Sequence, residues 1–130
     1  MNEKFKILAN FIKDMSSETP DVQSYLFVKE NISKYNLNIN IASQPLKNRM
    51  IEVSTILKFE DKNSNEKRSN FEIVYISIIK IDESVKDKKE LEKIIICDLQ
   101  NKIYPKIEKI FLNLLDLSGF PGVKIEKKID

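Results

Sequence analysis

Hydrophobic and polar positions alternate most cleanly between Met50 and Phe59, where Ile51, Val53, Thr55, Leu57 and Phe59 share one parity against Glu52, Ser54 and Lys58 on the other. A period of two predicts a half-buried strand. The segment YNLNINIA before it alternates Leu37, Ile39 and Ile41 with Asn38 and Asn40. After it, FEIVYISIIKI runs β-branched from Phe71 to Ile81. Polar interruptions at Ser43 to Asn48, Glu60 to Asn70 and Asp82 to Lys88 read as turns, so the pattern predicts an antiparallel meander. The N-terminal segment fits two templates: Phe5, Leu8, Ile12 and Met15 make a helical stripe, whereas Phe5, Ile7, Ala9 and Phe11 make a strand face. Periodicity alone leans toward helix.

Glu90 to Leu117 is too long for a strand, and Leu91, Ile95, Leu99, Ile103, Ile107, Ile110, Leu114 and Leu117 recur every three or four residues. That spacing predicts one long helix, ended by Gly119 as a C-cap and by Pro121. Pro105 inside it predicts a kink near Asn101 to Tyr104. From Lys106 to Ser118 only Lys106, Lys109, Asn113 and Asp116 form a polar stripe. The apolar arc is wider than one sheet needs, which predicts an oligomer interface around Ile107, Phe111, Leu114 and Leu115.

Composition then narrows the function. At 130 residues the chain is expected to be a single domain, and 22 basic against 20 acidic residues disfavour both disorder and a polybasic arm. One cysteine, Cys97, and no histidine exclude an internal disulfide, a Cys/His zinc cage, a Ser-His-Asp triad and a Cys-His dyad. No metal or cofactor is expected. No paired carboxylates at a telling spacing suggest an enzyme. RNA binding is disfavoured by balanced charge and by only two arginines, Arg49 and Arg68. Asn10 and Lys13 interrupt the N-terminal apolar stretch short of a signal peptide or membrane span, so a cytoplasmic protein without membrane insertion is expected.

Four elements lie in register along the chain: FIKDMSSETP at 11 to 20, LNINIAS, MIEVSTILKF, and IYP at 103 to 105 followed by GFP at 119 to 121. Together they resemble the SecB family of protein-export chaperones. The first resembles the family's first-strand signature of an aromatic, Lys-Asp, a Ser, a Glu and a Pro. The second is similar to its second strand, and the third to its acidic-Tyr-Glu-Val strand, with Ile51 in place of the tyrosine. The fourth resembles its Leu-Phe-Pro and Gly-x-Phe-Pro elements.

The resemblance implies an α+β fold, a four-stranded antiparallel sheet with one long kinked helix on one face, so the first segment becomes a strand. It implies a homotetramer built as a dimer of dimers, an ATP-independent holdase that binds unfolded preproteins in apolar grooves and delivers them to SecA. A SecB-like chaperone dedicated to one client, such as an antitoxin, is the neighbouring alternative. Carried over by motif, Asp14, Glu18 and Glu72 would dock SecA; parity puts 14, 16 and 18 opposite Phe5, Ile7 and Phe11. Lys58 and Lys80 share that outward parity. The groove candidates are Tyr25, Leu26 and Phe27, then Leu37, Ile39, Ile41, Ile51 and Val53, and Phe120 after the helix. Two departures from the family stand out. Ile76 and Ser77 replace a glycine pair, which predicts a lost bulge or twist, and the sequence ends at Asp130 where a second helix and acidic tail would follow.

Overall fold

The computed structural model describes residues 4–61 and 68–125. Most of the polar loop expected at Glu60 to Asn70 lies outside the described residues. The elements are β1 (Phe5–Glu18), α1 (Val22–Asn31), a 3₁₀ turn (Ile32–Lys34), β2 (Asn36–Pro45), β3 (Met50–Glu60), β4 (Asn70–Ile81), α2 (Lys88–Lys93), a π turn (Ile94–Asp98) and α3 (Leu99–Leu117). The four strands form one antiparallel sheet in the order β1-β4-β3-β2. The three-strand meander is as the alternation predicts, while the N-terminal segment is a strand and not the helix its spacing favours. Pairing with β4 decides that ambiguity, since a free ladder edge is available to it.

Odd-numbered residues of β3 and β4 form the buried face: Ile51, Val53, Thr55, Leu57 and Phe59 beside Phe71, Ile73, Tyr75, Ser77, Ile79 and Ile81. They share one core with Leu99, Ile103, Ile107, Phe111 and Leu115 of α3. An aromatic cluster closes one end, with Phe59 edge-on to Phe111 at 5.8 Å and Phe71 edge-on to Phe120 at 5.6 Å. The β3–β4 ladder runs through Ile76 and Ser77 without a register shift. The two irregularities fall instead in β1, between Ile7 and Ala9 and between Ile12 and Asp14.

The long helix is continuous through Pro105, which lies inside α3. Its departure from α geometry is at the π turn, where the Leu99 N–H reaches the Ile94 carbonyl. Gln100, buried in the core, supports that turn: its amide donates to the Ile95 carbonyl at 3.3 Å and to Thr55 Oγ1 at 3.1 Å. The helix ends where glycine predicts. Gly119 at φ +97° lets the Phe120 N–H reach the Leu115 carbonyl at 2.8 Å and its own N–H reach Asp116 at 3.1 Å, which is a Schellman motif. At the other end of the sheet, Asn48 and Arg49 take positive φ in the β2–β3 turn. The Arg49 guanidinium offsets that strain by donating to the carbonyls of Ile81 at 3.2 Å, Asp82 at 2.6 Å and Val85 at 2.8 Å.

Candidate functional site

Three residues of the groove set lie on α1, an element that sequence periodicity missed because its apolar residues do not form a stripe. Asp21 caps it by accepting from the Ser24 N–H at 2.7 Å, a bond that holds the Asp21 carboxyl below its usual value. Only Ser24 and Val28 are buried. Leu26 is 55% and Phe27 40% exposed, and Val22 is exposed beside them. The Arg68 guanidinium lies 3.9 Å over the Phe27 ring, a cation–π contact on a wet surface. Tyr25 is half-buried against the helix C-cap, its ring 5.1 Å from Phe120 and its hydroxyl donating to the Gly119 carbonyl at 2.7 Å.

The remaining groove candidates sit elsewhere. Leu37, Ile39, Ile51, Val53 and Phe120 are buried in the chain's own core, and Ile41 is half-buried at its margin. Each follows the predicted parity, but the face they share is covered by the long helix. The interface set divides in the same way. Ile107, Phe111 and Leu115 are fully buried in the core, so the single sheet covers more of the arc than its width suggested. Leu114 and Ile110 are half-buried, and Leu117 is 78% exposed. Of these, Ile110 borders an open groove of about 830 Å³, together with Leu112, Asn113, Gly122 and Val123.

The acidic trio does come together on the outer sheet face. Ser16 stands opposite Glu72, with Asp14 opposite Val74 and Glu18 opposite Asn70, so both β1 carboxylates are diagonal neighbours of Glu72. On its other side Glu72 faces Lys58 directly, whereas Lys80 lies at the far end opposite Lys6. One parity expectation is corrected: Phe11 stands opposite Ile76 on this outer face, 48% exposed, and not with Phe5 and Ile7. The bulge between Ile7 and Ala9 reverses the strand's phase and the one before Asp14 restores it. Phe11 thereby joins Ile56, Val74, Ile76 and Ile78 in an apolar strip on the outer face.

β1 is also an edge strand, with Leu8, Ile12 and Met15 exposed along it. A second cavity of about 380 Å³ opens between the β2–β3 turn and α2, lined by Leu46, Met50, Ile81, Val85 and Leu91 under a rim of Arg49, Lys86 and Lys88. Two tyrosines are shifted, both mainly by burial: Tyr35, which donates to the Ser69 carbonyl, and Tyr104 are each pushed up to about 12. Among the described residues no cluster of three or more acidic or cysteine side chains could hold a metal ion, and no helix is long and apolar enough to cross a membrane.

The whole chain, residues 1–130, matches the family model described as preprotein translocase subunit SecB. A putative protein-export protein SecB of Pelagibacter ubique is 62% identical over 130 residues, covering 100% of this chain and 93% of that protein. The protein-export protein SecB of Bartonella bacilliformis is 24% identical, covering 96% of this chain and 79% of its own length. Among solved structures, a SecB-like chaperone of Mycobacterium tuberculosis in complex with an antitoxin peptide has the same fold, with a TM-score of 0.67 at 11% identity over 95% of this chain and 86% of that one.

Proposed function

The chain belongs to the SecB family of protein-export chaperones, and on that footing we propose that it holds unfolded preproteins in the cytoplasm without ATP, as an assembly of identical protomers that passes them to SecA. The observation that carries the holding function is α1, where Val22, Leu26 and Phe27 face water although the core beneath is complete. A client that buried Leu26 and Phe27 would gain about 1.5–3 kcal/mol for each before the cost of ordering. Leu26, Phe27 and Ile41 are the accessible members of the client-contact set in the resting fold, and Tyr25, Leu37, Ile39, Ile51, Val53 and Phe120 lie behind them.

Two surfaces support assembly. The long β1 edge carries Leu8, Ile12 and Met15, and natural proteins cover such edges. The outer flank of α3 offers Ile110, Leu114 and Leu117, which suits a second contact and hence a dimer of dimers. The acidic triangle of Asp14, Glu18 and Glu72 supports SecA docking, since clustered carboxylates steer a basic partner. Export is favoured over a dedicated antitoxin client because the sequence relatives carry export names, while the antitoxin-bound chaperone shares the fold alone. The test is suppression of aggregation of a slow-folding preprotein in nucleotide-free buffer. Protection at one assembly per client is expected, and no protection at several-fold excess would refute the proposal.

A further inference from the structure

Tyr25 fills a socket shaped for an aromatic ring. Its ring is tilted 41° against Phe120, and behind Phe120 stands Phe71. A Cβ added to Gly119 would lie 2.6 Å from Tyr25 Cε1, so glycine at that position leaves room for the ring as well as permitting the positive φ. The socket thus provides an aromatic wall, an open floor and a carbonyl acceptor for a phenol.

The helix that delivers this ring is weakly held. α1 has ten residues, fewer than an isolated helix needs in water, and buries only Ser24 and Val28. Besides Tyr25 and the Arg68 guanidinium over Phe27, the segment is fastened by hydroxyl pairs, Ser17 Oγ with Ser118 Oγ and Thr19 Oγ1 with Ser69 Oγ, both at 2.7 Å. The first of these pairs is exposed, and water replaces such a bond at little net cost.

We propose that Tyr25 is a built-in occupant of a client pocket. In the resting chaperone it covers Phe120; when α1 swings out, an aromatic side chain of an extended client takes its place, stacking on Phe120 and, if it is tyrosine, donating to the Gly119 carbonyl. This rests on the holding function proposed above and adds its regulation. A pocket that is mostly closed lowers apparent affinity in proportion to the open fraction. Weakening the inner occupant therefore tightens client binding.

The experiment measures fluorescence anisotropy of two labelled unfolded peptides that differ only in a central tyrosine or alanine. Tyr25→Phe loses the hydroxyl bond and should bind the tyrosine peptide about threefold to tenfold more tightly than wild type, with little change for the alanine peptide. Tyr25→Ala empties the socket and should gain more. A second readout uses wild type carrying 3-fluorotyrosine at its four tyrosines, the Tyr25 resonance being the one absent from Tyr25→Phe. Saturating tyrosine peptide should move that ¹⁹F resonance to its solvent-exposed position. Unchanged affinity in both variants overturns the inference while leaving the holding function intact. Weaker binding by both overturns it too, making Tyr25 a client contact. Binding only by Tyr25→Ala supports the inner occupant and refutes holding by the wild-type protein, and binding by neither protein refutes both.

Discussion

Replacing Gln100 with leucine tests whether its amide secures the π turn to the sheet. Gln100 donates to Thr55 Oγ1 at 3.1 Å and to the Ile95 carbonyl at 3.3 Å, and Thr55 is fully buried. Gln100→Leu removes these bonds, together with the long 3.4 Å donation of the Thr55 hydroxyl to Gln100 Oε1, and leaves that hydroxyl in apolar surroundings, a cost of about 2 kcal/mol. Thr55→Val removes the contacts between the two side chains and leaves the amide its carbonyl partner, a cost of about 1 kcal/mol. If the two side chains bond each other, the double variant counts their shared bond once. It should then lose about 2 kcal/mol, not the sum of about 3, a coupling of about 1 kcal/mol. Any gain from burying the leucine methyls enters the single and double variants alike and cancels in the cycle. For a chain of this size Gln100→Leu should lower Tm by about 8 °C. Urea unfolding of the four proteins is the assay, at one protomer concentration because assembly adds stability by mass action. Additive costs, with no coupling between the two sites, would refute the reasoning.

Other outcomes follow from the surfaces. Reversing Asp14, Glu18 and Glu72 to lysine should slow association with SecA while client holding persists, and wild-type association should slow as salt rises; a triple variant that docks normally removes those residues from the site. Lys58→Ser with Lys80→Ser should speed docking, with most of the effect from Lys58 because it alone faces Glu72. Leu114→Asp should give protomers of 15.2 kDa in light scattering where wild type gives two or four times that mass, whereas Phe111→Asp should unfold the chain, since an unpaired charge in the core costs several kcal/mol. The Asp21 carboxyl is held below its ordinary value of 3.8 by the hydrogen bond from Ser24. Its contribution to stability is therefore complete above about pH 4 and fades as pH falls through the folded value, so Asp21→Asn should flatten the acid side of a Tm-against-pH curve.

Period-two alternation made β2 and β3 legible, because each buries one face more than the other, and β4 was legible from its β-branched run. The α3 terminus was legible as well, since Gly119 is required by a left-handed C′ position. β1 was not, because its two extra residues scramble the period and mimic a helical stripe, and because pairing with β4 is information from outside the segment. α1 escaped since its apolar residues remain exposed, so burial imposed no spacing on them. The acidic trio was read from motif and parity together, and the sheet brings its members side by side on one face. Parity says which residues share a face but not what buries it, and here Leu37, Ile39, Ile51 and Val53 fall inside the chain's own core.

The paired bulges of β1 behave like two insertions in a reading frame of two. Leu8 shifts the frame, Lys13 shifts it back, and only Ala9 to Ile12 are read out of phase. Both extra residues are dispensable to the frame itself: without Leu8, Ile7 and Ala9 still face Ile79 and Ile78, and without Lys13, Ile12 and Asp14 still face Tyr75 and Val74. Loss of Asn10 is absorbed only by closing the bulge beside it, which brings Leu8 opposite Ile78 and turns Ala9 to the inner face opposite Ser77. Chains of this kind can therefore differ in length at those two positions and keep the same residues on each face, and an alignment that spreads its gaps elsewhere along β1 would pair inward residues with outward ones.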